Sequence, residues 1–290
     1  MVTDLTRRLE TAISVARQCG ALLVEKQGRI GRIEEKSSPI DLVTDVDKSV
    51  QEIIFSVLHA EFPGDGLWGE ESGYRLEDFS STWVVDPIDG TTNFIHGLPG
   101  YTVSIAYYRE GKPVVGVIDS PTHRETFWAL ERGGAFLNGR PIQVTGEKRL
   151  HRALLGTGFP HDQNRCGIMM PVYSRILCRS QALRALGSAA LGAASVASGR
   201  LEGYFQLGIS FYDIAAGVCL IQEAGGVVSE LTGASWTPES RTVLASNRVL
   251  REELLAEFSA FREQAWELNR IDRFGSMAEK PIEKPVSTHH

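Results

Sequence analysis

The chain has 290 residues, of which 42% are hydrophobic and 23% charged, with a net charge of −6 at pH 7. That is enough chain to bury one large core, or two subdomains sharing a core, in a soluble globular protein. The negative balance argues against a basic nucleic-acid surface and leaves room for an anionic substrate only if divalent cations supply positive charge locally.

In chain order, Leu5, Leu9, Ile13 and Ala16 recur at helical spacing, and the pattern fades near Gly28. This amphipathic opening lacks the apolar core of a signal peptide. A polar, extended stretch follows over 29–44. A second helix is expected with Val50, Ile53, Ile54, Val57 and Leu58 on one face, its start capped by Asp45 or Asp47. Pro63-Gly64-Asp65-Gly66 reads as a turn. From Trp83 to about Val144 the text is strand-like. Glu110-Gly111 makes a hairpin turn, and further turns fall at Gly133-Gly134 and Asn138-Gly139. After about residue 146 strands and helices alternate. Strands are expected at 153–157, 182–186, 204–207, 227–228 and 243–245. Helices are expected at 166–178, 188–198 and 212–224, with a last one capped by Asn247. This divides the chain into an α+β part over 1–146, an α/β part over 147–268 and a polar tail over 269–290. No apolar run approaches the ~20 residues that span a bilayer. Cys19, Cys166, Cys178 and Cys219 are scattered, so free thiols in a reducing cytoplasm are the expectation.

The chemistry concentrates in Asp86-Pro87-Ile88-Asp89-Gly90-Thr91-Thr92, directly after the apolar run Trp83-Val84-Val85. Ionised carboxylates leave water only when paired or bound to metal. Pro87 stiffens a turn, and Gly90 lets the backbone approach a ligand. The Gly-Thr-Thr segment offers N–H groups and hydroxyls to a phosphate. Together these read as a hard-cation site acting on a phosphate ester. Three further pieces need to converge with it: Gly69-Glu70-Glu71-Ser72, the Asp45/Asp47 pair, and Tyr212-Asp213-Ile214-Ala215-Ala216. Each of these alone fits a bland reading, a helix cap or a solvated loop. His96 and His161 fit packing or loop roles, because Mg²⁺ favours oxygen. The Trp and Tyr residues read as core.

The string from Trp83 to Phe94 resembles the first signature of the inositol monophosphatase family. Tyr212-Asp213-Ile214-Ala215-Ala216-Gly217, with Glu223-Ala224-Gly225-Gly226 after it, is similar to the second. Gly69-Glu70-Glu71-Ser72 and Lys36-Ser37-Ser38-Pro39-Ile40-Asp41-Leu42-Val43-Thr44 match as well, in the family's order. The resemblance implies a layered αβαβα sandwich, dependence on two or three Mg²⁺ ions, lithium sensitivity and a homodimer. It implies that Glu70, Asp86, the Ile88 carbonyl, Asp89 and Asp213 hold the metals. Ile88, Asp89, Gly90 and Thr91 would face the phosphate, and Gly187, Ser188, Ala189, Gln206 and Asp213 the substrate. Asp47 with Thr91 would orient the attacking water, with Glu70 beside it, and Lys36 would stand near the metals.

The implied reaction is Mg²⁺-dependent hydrolysis of a small phosphorylated polyol or sugar, first of all myo-inositol 1-phosphate. No nucleic acid or membrane partner is expected. Two ions ~3.5–4 Å apart can clamp the attacking and leaving oxygens of an in-line displacement. Gln206 stands where inositol-preferring members carry an acid. This opens histidinol phosphate, fructose 1,6-bisphosphate or a 3′-phosphoadenosine nucleotide as alternatives. A non-catalytic binding module is the reading from another class.

Overall fold

The apolar stripe at the start of the chain folds as α1 (Asp4–Lys26), which buries Leu9, Ala12, Val15, Ala16, Cys19 and Leu23. A computed structural model describes residues 4–29, 31, 33–35, 42–72, 80–160 and 163–259. Short antiparallel strands β1 (Ile33–Glu35) and β2 (Leu42–Thr44) lead into α2 (Asp45–Glu61). The cap of α2 differs from expectation. Thr44 is the N-cap, and Asp47 closes a capping box by accepting from Thr44 N at 2.8 Å. Asp45 plays no part in that box, because a cap residue needs the extended backbone that Thr44 has.

A seven-stranded sheet follows in simple order: β3 (Gly66–Gly69), β4 (Ser81–Asp89), β5 (Thr102–Arg109), β6 (Lys112–Ser120), β7 (Glu125–Leu130), β8 (Gly134–Leu137) and β9 (Arg140–Ile142). Only β3 runs parallel to its neighbour. The single-turn helix α3 (Thr91–Ile95) breaks the run between β4 and β5. The second sheet has the order β11 (Ala182–Ala185), β10 (Leu154–Thr157), β12 (Gly203–Leu207), β14 (Thr242–Ser246), β13 (Val227–Ser229). Four helices belong with it: α4 (Gln163–Arg179), α5 (Ala189–Ala197), α6 (Phe211–Glu223) and α7 (Arg248–Ser259).

Side-chain alternation sets the layers. On β4, Trp83 and Val85 face α1 and α2, packing with Val15, Val50, Ile54 and Leu58. Val84, from the other face, joins Ala193, Ile214 and Val218 of α5 and α6, which also meet Val243 and Ala245 of the second sheet. The outer face of that sheet packs Phe205 and Leu244 against Val172 and Ile176 of α4 and Leu250 and Leu254 of α7. The result is helix, sheet, helix, sheet, helix. Both sheets are covered twice, which is why β4 reads as a continuous apolar run. The middle helices sit unusually close. A Cβ on Gly217 would lie 2.4 Å from Ala193 Cβ, and one on Gly116 would lie 2.6 Å from Ala216 O. No helix among the described residues is long and apolar enough to cross a membrane. The expected tail over 269–290 lies outside the described residues.

Candidate active site

The cleft forms where β4 ends. Pro87 is not the start of a turn: it lies inside β4, where the register against β5 shifts between Asp86 and Asp89. A proline cannot donate to the ladder, so the strand bulges there. The bulge sends Asp86 and Asp89 into the same cleft, of about 150 Å³. Gly90 then turns the chain with φ of +98°, a left-handed value that glycine adopts without strain. Its missing side chain matters too, since a Cβ would meet the Gly187 and Gly100 carbonyls at 3.0 and 3.1 Å.

Four helix or turn starts converge on this point. Glu70 opens a 3-10 turn (Glu70–Ser72) straight after β3, and Gly69 N donates to Ser72 Oγ at 3.1 Å. Asp213 stands in the first turn of α6 and accepts from Ser210 N at 2.7 Å. Asp89 caps α5 from outside: Ser188 Oγ, Ala189 N and Ala190 N donate to it at 2.5, 3.2 and 2.6 Å. Thr91, on α3, donates to Asp47 Oδ1 at 3.1 Å and to the Ile88 carbonyl at 2.9 Å. One hydroxyl proton cannot serve both acceptors fully, so the threonine alternates between them.

The electrostatics of the two β4 carboxylates differ. Asp86 is 1% exposed, and burial, followed by the charges of Glu70, Asp89 and Asp213, holds its carboxyl well above the usual range. Asp89 is pushed up to about 6 by burial, against the opposing pull of Ser188, Ala190 and Ala189. No Lys, Arg or His lines the cleft among the described residues. No three acidic, His or Cys side chains among them already close a metal shell. Mg²⁺ does not require one, since it keeps several waters and takes only one or two carboxylates.

A protein-family model described as the inositol monophosphatase family matches residues 4–263. The chain belongs to the inositol monophosphatase family. It is 38% identical over 250 residues to the inositol-1-monophosphatase of Mesorhizobium japonicum, covering 85% of this chain and 94% of that one. It is 37% identical over 255 residues to a protein of Pseudomonas aeruginosa named Nus factor SuhB, covering 85% and 94%. Among solved structures it superposes on the IMPase of Thermotoga maritima with a TM-score of 0.83 at 34% identity, covering 89% of this chain and 99% of that one. Metal-dependent hydrolysis of phosphate monoesters is the chemistry of the inositol monophosphatase family.

Against that family pattern, Glu70, Asp86, Ile88, Asp89, Gly90 and Thr91 line the same cleft. Gly187, Ser188, Ala189, Gln206 and Asp213 line it as well. Asp47 does not: it is wholly buried and accepts from Thr91, which does line the cleft. Lys36 and His161 lie outside the described residues, and His96 is exposed and away from the cleft. Two aromatics missed in the sequence turn out to matter: Tyr204, read as core, and Phe159 are cleft walls. For Tyr204 a signal existed, because period-2 alternation puts residue 204 on the face of Gln206. For Phe159 there was none, since it sits in a loop. Phe211, which opens α6 two residues before Asp213, is buried among Trp68, Tyr108 and Trp236 and does not line the cleft.

Proposed function

We propose that this protein is a Mg²⁺-dependent phosphomonoesterase acting on small phosphorylated polyols and sugars, myo-inositol 1-phosphate among them. The observation that carries this is the buried Asp86 crowded by Glu70, Asp89 and Asp213 in a cleft free of basic side chains among the described residues. Such a set is stabilised by bound cations and is otherwise costly to fold. The hard oxygen donors fit Mg²⁺: the four carboxylates with the Ile88 carbonyl would hold it. When bound, Mg²⁺ neutralises phosphoryl oxygens and makes water more acidic.

The protein's own groups do the rest. The first N–H groups of α3 are not used by its own ladder, whose first bond runs from Phe94 N to Gly90 O at 3.0 Å. Thr91 N and Thr92 N are therefore available to phosphate oxygens. Thr91 Oγ1, which donates to Asp47, aligns a water with the phosphorus. Glu70, or Asp47 through Thr91, accepts the proton as the water oxygen bonds to phosphorus, and the ester P–O bond breaks with its electron pair going to the alcohol oxygen, which takes a proton from solvent water. Asp89 keeps the start of α5 against the alcohol part of the substrate.

The test is phosphate release at fixed Mg²⁺ from myo-inositol 1-phosphate, histidinol phosphate, fructose 1,6-bisphosphate and a 3′-phosphoadenosine nucleotide. Release from myo-inositol 1-phosphate is expected, with inhibition by lithium. A tenfold lead for another ester, ~1.4 kcal/mol of transition-state binding, reassigns the substrate and keeps the chemistry. No release from any of them overturns the reading. The reading includes a homodimer, for which sedimentation should give twice 31.9 kDa. It also includes no nucleic-acid partner, which the charge of −6 supports.

A further inference from the structure

Strand β12 turns Tyr204 and Gln206 to one face, and both line the cleft. Tyr204 is 1% exposed, and its hydroxyl donates to Gln206 Oε1. The same oxygen is packed on Gly158, where a Cβ would come within 2.2 Å of it. Turning the amide over would leave the buried phenol proton facing an NH₂ group, with no acceptor. It would also press two N–H hydrogens onto the Gly158 backbone. The amide therefore has one good orientation, with its oxygen inward and its nitrogen toward the cleft. Among the described residues Gln206 Nε2 has no hydrogen-bond partner in the protein. Tyr204 keeps its proton, because burial holds the phenol well above its ordinary range and Asp89 and Asp213 push the same way.

An apolar side chain adjoins this amide in the cleft wall. Phe159 lines the cleft at 51% exposure and packs edge-on against Tyr173 at 5.3 Å. The Tyr173 hydroxyl donates to the Gly158 carbonyl at 3.0 Å. Gly158 is thus pinned between the tyrosine that holds Phe159 and the amide that Tyr204 holds.

We propose that Tyr204 positions Gln206 as a neutral hydrogen-bond donor at the alcohol end of the cleft, which selects phosphate monoesters whose alcohol part carries an anionic oxygen acceptor over esters that present only hydroxyls there. This rests on the phosphatase reading above. A bond from the amide to an anionic oxygen is charge-assisted and roughly twice as strong as one to a hydroxyl. A carboxylate side chain at residue 206 would invert that preference by repelling the anion. A site built to donate also discriminates more sharply than an apolar wall can.

The experiment compares two ester pairs at saturating Mg²⁺: glycerate 2-phosphate against glycerol 2-phosphate, and fructose 1,6-bisphosphate against fructose 6-phosphate. The first pair isolates a carboxylate and the second a further phosphate. The wild type should favour the anionic member by at least tenfold in kcat/KM in one pair. Gln206→Glu should cut that ratio by tenfold or more, and Gln206→Leu should bring it toward one. Tyr204→Phe should lower it several-fold, while inhibition by inorganic phosphate, which has no alcohol part, stays as in the wild type. Melting curves with phosphonate analogues of each pair report the same preference without turnover and show whether each variant is folded. Ratios at or below one in both pairs, or ratios that Gln206→Glu leaves alone, overturn the donor subsite while turnover upholds the phosphatase. No turnover of any ester, p-nitrophenyl phosphate included, overturns both.

Discussion

At the Ser81 end of β4, Asp65 is buried but fully matched: Arg8 donates to it, Ser81 Oγ donates at 2.5 Å and Trp83 Nε1 at 2.9 Å. The Arg8 guanidinium is itself sandwiched, 4.4 Å from the Phe62 ring centre and 4.2 Å from that of Tyr107. At the Asp89 end, Asp86 is buried more deeply still, and the charges that raise it most among the described residues, those of Glu70, Asp89 and Asp213, are all negative. A carboxylate matched by an arginine thus stands beside one end of the strand, and at the other end four carboxylates crowd a cleft that no Lys, Arg or His lines among the described residues. Burial alone does not distinguish a functional acid from a structural one. What distinguishes them is whether the protein supplies the counter-charge itself or leaves that to a ligand.

Asp86→Asn is the most forceful way to break this comparison. It removes one of four crowded like charges and keeps the side chain's shape. Turnover is expected to fall by ~10²–10³-fold or more, as when an electrostatic element of a transition-state site is lost. Stability without Mg²⁺ should hold or rise by on the order of 1 kcal/mol. The wild type should melt higher on adding millimolar Mg²⁺, and the variant much less so. A variant that keeps near-normal turnover, or that unfolds, would remove the distinction between the two ends.

Asp65→Asn should do the reverse. It strands the buried Arg8 without its anion, which costs about 3–5 kcal/mol. For a chain of this size each kcal/mol moves the melting point by ~2–4 °C. Activity per folded molecule should be unchanged when assayed well below that melting point. A loss under ~1 kcal/mol in urea would show that Arg8 relaxes into solvent and that the pair matters little.

Thr91→Ala tests the link between the buried Asp47 and the cleft. It removes the hydroxyl that Asp47 holds, so kcat should drop by ~10–10²-fold with KM nearly unmoved, since water alignment and not binding is lost. Equal changes in both constants would place Thr91 in substrate binding alone.

The legibility of these regions in the sequence differs for a physical reason. The Asp86 to Thr92 segment could be read because acids, glycine and hydroxyls are contiguous and follow an apolar strand. The layered fold followed from that resemblance, and the strand and helix periods placed most elements within a residue or two. The Asp65–Arg8 pair could not be read, because its members are 57 residues apart and join only when α1 lies on the sheet. The true cap of α2 was hidden because Thr44, Asp45 and Asp47 are all good cap residues and only backbone geometry chooses among them. The role of Tyr204 was masked by its composition class. Large aromatics are usually core, and this one is core along its ring and functional at its hydroxyl.

Asp119 on β6 is an intermediate case and gives the smallest expected effect. It is 5% exposed, accepts from Thr126 Oγ1 at 2.8 Å, and lies so near α1 that a Cβ on Gly20 would reach within 2.2 Å of its oxygen. Burial pushes its carboxyl up to about 6, while Thr126 and the Arg17 charge pull it down. A carboxyl raised on folding stabilises the native state while it is protonated. That contribution is complete below the unfolded value of ~3.9 and is lost as pH rises through about 6. Between pH 5 and pH 7.5 the wild type should therefore lose roughly 1 kcal/mol that Asp119→Asn, which cannot ionise, does not lose. Urea unfolding of both proteins at the two pH values reads the difference directly. If the gap between them is the same at both, Arg17 and Thr126 compensate Asp119 as fully as Arg8 compensates Asp65, and the crowded end of β4 stands alone in leaving its charge to a ligand.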